Sequence, residues 1–89
     1  AAQILRALRP GRDAGEAMRD AFGPRLQSVT DLAQRAVGEG TEQVYRVSHT
    51  APMRRGVLRL TIDRDGRVTS AELPDGAAAA RLLEATRRW

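Results

Sequence analysis

The sequence predicts an α+β fold: three short N-terminal helices, a three-stranded antiparallel sheet, and a C-terminal amphipathic helix packed on that sheet. Three observations carry this prediction. Residues 1–40 place apolar side chains at helical spacing between Pro and Gly breaks, residues 56–74 alternate around a tight turn, and residues 75–89 form one apolar stripe. Because 89 residues support a single core, we expect one domain with a helical part (1–40), a sheet (41–74) and a final helix (75–89).

The first two helices are marked by their boundaries. Pro10-Gly11 ends the first, whose apolar positions are Ile4, Leu5 and Leu8. Asp13, three residues before Glu16, forms a capping-box pattern that begins the second helix, and Gly23-Pro24 ends it. The apolar stripe of the second helix consists of Ala14, Ala17, Met18, Ala21 and Phe22.

A third helix is expected from Ser28 to the glycines at 38 and 40. Ser28 with Asp31 repeats the capping pattern. The stripe that follows has helical spacing and consists of Val29, Leu32, Ala33, Ala36 and Val37.

Three strands are expected after Thr41. Residues 43–49 have the β-branched and aromatic content of a first strand, which Ala51-Pro52 ends. The second strand alternates Leu58, Leu60 and Ile62 with polar residues, as a half-buried strand does.

The turn between the second and third strands is predicted to contain three residues, 64–66, with Gly66 in the left-handed region. That register places Asp63 opposite Arg67 and Ile62 opposite Val68, whereas a two-residue turn would oppose Arg64 to Arg67. One face of the hairpin then holds Leu58, Leu60, Ile62 and Val68, and the other holds Val57, Ala71 and Leu73.

The final helix begins after Pro74, with Asp75 as the expected cap. Its inner stripe is expected to comprise Ala78, Ala79, Leu82, Ala85, Thr86 and Trp89.

Composition excludes several kinds of site. The chain has no Cys and one His, so no thiolate, disulfide or metal-ligand cluster is expected, and we expect no cofactor. His49 has no acid or nucleophile placed beside it by the pattern, which favours a non-enzymatic protein. The apolar runs are too short to span a bilayer. All fifteen basic residues are Arg, yet the net charge is only +4, so nucleic-acid binding is a third and weaker interpretation.

The hairpin and final helix together resemble the C-terminal domain of TonB- and TolA-type envelope proteins. The resemblance covers the last third of the chain and rests on Ile62-Asp63, Asp65-Gly66-Arg67-Val68 and Arg87-Arg88-Trp89. It implies a periplasmic or secreted, non-catalytic module that binds another protein by adding a strand to an exposed sheet edge. The expected edges are residues 44–49 and 68–73, with a partner surface of Val44, Arg46, Ser48, Arg59, Thr69, Ala71, Leu73 and Trp89.

The middle of the chain resembles small cystatin-like or nuclear-transport-factor-like α+β domains, which gives an alternative function. That resemblance implies a small-ligand pocket between the sheet and helices two and three, lined by Phe22, Leu32, Tyr45 and Leu60. Since the chain begins Ala1-Ala2-Gln3 without Met, we also expect a processed product or an excised part of a longer protein.

Overall fold

The computed structural model describes residues 2–49 and 55–89, which form an α+β fold. The helices are α1 (Ala2–Ala7), α2 (Ala14–Phe22) and α3 (Gly76–Thr86), with a short 3₁₀ helix at Gly23–Arg25. The strands are β1 (Leu26–Val37), β2 (Gly40–His49), β3 (Arg55–Ile62) and β4 (Val68–Glu72). They form one antiparallel sheet in the order β1-β2-β3-β4.

The prediction of a third helix and a three-stranded sheet is wrong for residues 26–37, which form β1. This strand pairs with β2 from Leu26 opposite His49 to Val37 opposite Gly40. The glycines expected to end a helix instead make the turn of this hairpin, where Gly38 has a φ of 59°. The expected break at Ala51-Pro52 lies outside the described residues.

The sheet is covered on both faces, and each face has its own apolar cluster. The face under α1 and α2 (the α2 face) carries the larger cluster, in which α2 contributes its predicted stripe. Its buried members are Leu8, Ala17, Phe22, Val47, Leu58, Leu60 and Val68. The opposite face (the α3 face) packs Val44 and Val57 against Leu82 of α3, with Ala79, Leu83 and Trp89 at the margin.

Helix α2 begins as predicted. The Glu16 backbone N–H donates to Oδ1 of Asp13 at 3.1 Å, and the Ala17 N–H donates to the Asp13 carbonyl at 2.9 Å. The loop before α2 also pairs with β4, because the Gly11 N–H donates to the Val68 carbonyl and the Val68 N–H donates to the Arg12 carbonyl, both at 2.7 Å.

The three-residue turn of the β3–β4 hairpin is confirmed. Ile62 pairs with Val68, Gly66 has a φ of 81°, and the Asp63 N–H donates to the Arg67 carbonyl at 2.8 Å. The Asp63 carboxylate also accepts the backbone N–H of Arg67 at 3.0 Å, which stabilises the turn.

A β-bulge after Val68 overturns the predicted placement of Ala71 and Leu73. The register shifts beyond the Ile62–Val68 pair, so that Ser70 lies opposite Thr61 and Ala71 opposite Leu60. Ala71 and Leu73 therefore pack in the α2-face cluster, whereas the sequence placed them on the face opposite Leu60. An extra residue in a strand inverts the facing of every residue after it.

Helix α3 lies where the sequence predicted the final helix, but its inner stripe differs in part. Leu82 is buried, and Ala79, Leu83 and Trp89 pack beside it. Ala78 and Ala85 are exposed rather than inward, and the Asp75 side chain accepts no capping hydrogen bond.

Candidate functional site

The most accessible backbone of the sheet is the outer edge of β1. This strand is the terminal one of the sheet, and no described segment pairs with its outer side. The other edge, β4, is five residues long and is contacted at Val68 by the loop at residues 11–12. An edge strand leaves alternate N–H and C=O groups unpaired, so β1 is the longer surface available for strand addition.

The expectation that residues 44–49 form an exposed edge is wrong. They belong to β2, which lies between β1 and β3 and pairs with both. Val44 is fully buried against Leu82 of α3, and the Ser48 hydroxyl donates to Oε1 of Gln27 on β1 at 3.3 Å. The sequence places residues 44–49 at the edge because the pattern does not predict β1. Without β1, β2 would be the terminal strand of the sheet.

Strand β1 exposes large apolar side chains: Val29, Leu32 and Val37 are 38%, 36% and 42% accessible. Val29 lies on the α2 face opposite Val47, and with Leu26, Met18, Arg19 and Gly23 it lines an apolar notch of about 380 Å³. Interruptions of the register after Leu26 and after Asp31 divide the strand into two regularly paired segments, 28–31 and 33–37. Such bulges restrict which chains can pair with an edge.

A buried carboxylate organises the α3 face beside β1. The Glu42 side chain is 7% exposed and accepts hydrogen bonds from Nη2 of Arg35 and from Nη2 of Arg59, both at 3.0 Å. Glu42 lies opposite Arg35 on β1 and beside the strand that carries Arg59, so the sheet register creates this triad. Arg59 also reaches Glu72 of β4 at 4.0 Å.

A groove lies next to this triad and is lined mainly by arginine and tryptophan. We call it the arginine groove: it has a volume of about 350 Å³ and is lined by Arg35, Arg59, Ala78, Arg81, Leu82, Ala85 and Trp89. The guanidinium of Arg35 stacks on the Trp89 ring at 4.2 Å from its centroid, which holds the Arg35 head group in place. Arg81 makes no ion pair within the described ranges, so the groove has more positive charge than Glu42 neutralises.

The groove brings together two of the predicted site residues, Arg59 and Trp89. Sequence reasoning did not select Arg35, Glu42 or Arg81. The sequence pattern places Arg35 in a helix, and its contact with Glu42 depends on the β1–β2 register. The available signal was Gly38-Glu39-Gly40, because glycines suit the turn of a hairpin as well as the end of a helix.

The remaining predicted partner residues are dispersed. Arg46 lies on the α3 face opposite Val57, near the start of α3. Thr69 is exposed at the bulge of β4, where its hydroxyl donates to the Thr61 carbonyl at 3.1 Å. Ala71 and Leu73 are half-buried, and their side chains pack in the α2-face cluster.

The pocket expected for a small ligand lacks one of its walls. That wall was the third helix, which is β1 in the structure. Phe22 and Leu60 are buried in the α2-face cluster and Tyr45 packs against it, while Leu32 is exposed at the bulge of β1. The sheet therefore does not bring these four side chains together around a common opening.

Burial, with a smaller contribution from the Asp31 carboxylate opposite, raises the pKa of Tyr45 above its ordinary value of 10.0. Within residues 2–49 and 55–89 no three His, Asp or Glu side chains are grouped as metal ligands. No helix in the same ranges combines the length and hydrophobicity needed to cross a membrane.

Comparison with known proteins identifies no relative. The chain matches no family model, no curated protein and no solved structure.

Proposed function

We propose that this chain is a non-enzymatic protein-interaction module that binds an extended segment of another protein as an additional strand on β1. The observation that carries the proposal is the open outer edge of β1, a 12-residue strand at the end of the sheet. Backbone hydrogen bonds to such an edge supply affinity, and pockets beside it supply specificity. The same mode of binding is implied by the resemblance of the hairpin and final helix to TonB- and TolA-type domains.

The apolar notch beside Val29 supports this function. A strand paired with residues 28–31 places every second side chain on the α2 face, where Met18 and Leu26 form an apolar surface. One aliphatic side chain of the partner is expected to fill the notch. Burying such a side chain contributes about 1.5–3 kcal/mol.

Peptide selection followed by amide exchange tests the proposal. A random library of twelve-residue peptides displayed on phage is selected on the intact 89-residue chain, and enriched peptides are synthesised. We expect them to slow amide exchange in β1. Slowed exchange confined to α1, α2 or β4 would contradict strand addition at β1.

A pair of variants controls for the edge used. Val29→Asp introduces a charge at the notch. We expect it to lower the affinity for the selected peptides about tenfold, equivalent to about 1.4 kcal/mol. Ser70→Asp makes a comparable change at an exposed position on β4, at the other edge, and should leave binding within about twofold. Equal losses in the two variants would argue against a site at β1.

An envelope or secreted location is part of this proposal, because the TonB- and TolA-type resemblance implies it. Fractionation of the producing cells with an antibody against the chain tests it. Recovery in the periplasm or medium supports the location, and recovery in the cytosol contradicts it.

A further inference from the structure

The arginine groove begins on the edge strand itself. Arg35 lies in the second regularly paired segment of β1 and on the α3 face, since it pairs with Glu42 and stacks on Trp89. A residue of an added strand directly opposite Arg35 would share that face, with the two Cβ atoms about 4.5–5.5 Å apart. The side chain of that residue would therefore extend to the mouth of the groove.

The groove has cationic groups available for a ligand. Arg35 uses Nη2 for Glu42, its side chain is 46% exposed, and a guanidinium carries further N–H donors. Arg81 lines the same groove without an acidic partner in the described ranges. Glu42 is shared by Arg35 and Arg59, and Glu72 reaches Arg59 at 4.0 Å. Two carboxylates therefore face the three arginines of the groove, and the positive charge is incompletely balanced.

We infer that the strand bound at β1 carries an aspartate or glutamate opposite Arg35, whose carboxylate binds in the arginine groove between Arg35 and Arg81. This inference rests on the proposed function and specifies the chemistry of the partner. Trp89 fixes the Arg35 guanidinium beforehand, so the carboxylate binds to an already ordered donor.

A second copy of this chain fits the groove poorly. The charged residues of β1 are Asp31 and Arg35, and they lie on opposite faces because the register shifts after Asp31. Antiparallel pairing of two identical edges preserves the faces of each copy, so Arg35 of one copy cannot lie opposite Asp31 of the other. The net charge of +4 likewise favours an acidic partner of different sequence.

The experiment uses peptides selected on the intact chain and shown by amide exchange to bind β1. We expect these peptides to share one Asp or Glu at a constant position. Replacing it with the corresponding amide, Asn or Gln, is expected to weaken binding about five- to tenfold, with a smaller loss at high salt. Peptides that protect β1 but have no conserved acid would overturn the inference while leaving the proposed function intact.

Matched arginine variants locate the carboxylate. Arg81→Gln should reduce the affinity for the acidic peptide about fivefold and have little effect on its amide version. Arg88→Gln removes the same charge from an exposed position outside the groove and should change affinity less than about twofold. Equal losses of affinity in the two variants would overturn the groove assignment. If the selected peptides never slow amide exchange in β1, the proposed function and this inference are both overturned.

Discussion

Replacing Glu42 with alanine tests the triad that links β1 to the rest of the sheet. The change removes two hydrogen bonds of 3.0 Å and leaves the guanidiniums of Arg35 and Arg59 without their shared carboxylate. Breaking a fully buried ion pair costs about 3–5 kcal/mol. Because the two arginines are 46% and 33% exposed, water compensates part of this loss. We therefore expect a loss of about 2 kcal/mol in the free energy of unfolding.

Such a loss is large for this chain. A domain of 89 residues has a free energy of unfolding of about 5–13 kcal/mol, and a loss of about 2 kcal/mol lowers Tm by about 8–16 °C. Equilibrium unfolding in urea, monitored by circular dichroism, measures the change. Glu39→Ala is the matched control, because its ion pair with Arg64 is 3.5 Å long and highly exposed. A loss for Glu42→Ala within about 0.5 kcal/mol of the Glu39→Ala value would refute the reasoning.

Three further predictions concern the hairpins and the tyrosine. Gly66→Ala should cost about 1 kcal/mol in urea unfolding because φ is 81° at this position, and a neutral result would contradict the turn geometry. Gly40→Ala should cost about 2 kcal/mol, since an added Cβ would overlap the Ile62 carbonyl oxygen, and full stability would disprove that close approach. Tyr45 should titrate above pH 10.0 in the folded chain by absorbance, and Asp31→Asn should move the midpoint part of the way back. Because the folded state holds the phenolic proton more tightly than the unfolded state, the contribution of neutral Tyr45 to the free energy of unfolding is complete below pH 10.0 and declines as the pH rises above it. An unshifted titration midpoint would contradict the burial of Tyr45.

The second hairpin could be predicted because its determinants are local. Asp63, Gly66 and Arg67 define the turn, and the opposed charges and apolar residues select its register. The cap of α2 was predictable for the same reason, since Asp13 and Glu16 are one turn apart. The bulge at Thr69 carries no comparable signal, and it reversed the facing of Ala71.

Strand β1 escaped prediction for a physical reason. Its side chains are mostly exposed, so burial imposes no alternation on the sequence, and the bulge after Asp31 changes the phase of any alternation that exists. The apolar residues at positions 29, 32, 33, 36 and 37 then match helical spacing by default. What makes this segment a strand is pairing with β2, a long-range contact that local propensity does not reveal.

The candidate site depended on that missing strand. Trp89 and Arg59 were predicted as contact residues. Arg35, which lines the groove, meets its partner Glu42 only when β1 pairs with β2. Residues 44–49, which the sequence placed at an edge, lie inside the sheet for the same reason.

Amide hydrogen exchange of the free chain, resolved by residue with NMR, tests the central claim most directly. If residues 28–37 form a free edge strand, N–H groups that donate to β2 exchange slowly and those between them exchange fast. Continuous protection of residues 32–37 would be the pattern of a helix, and it would contradict the edge, the groove and the proposed docking mode together.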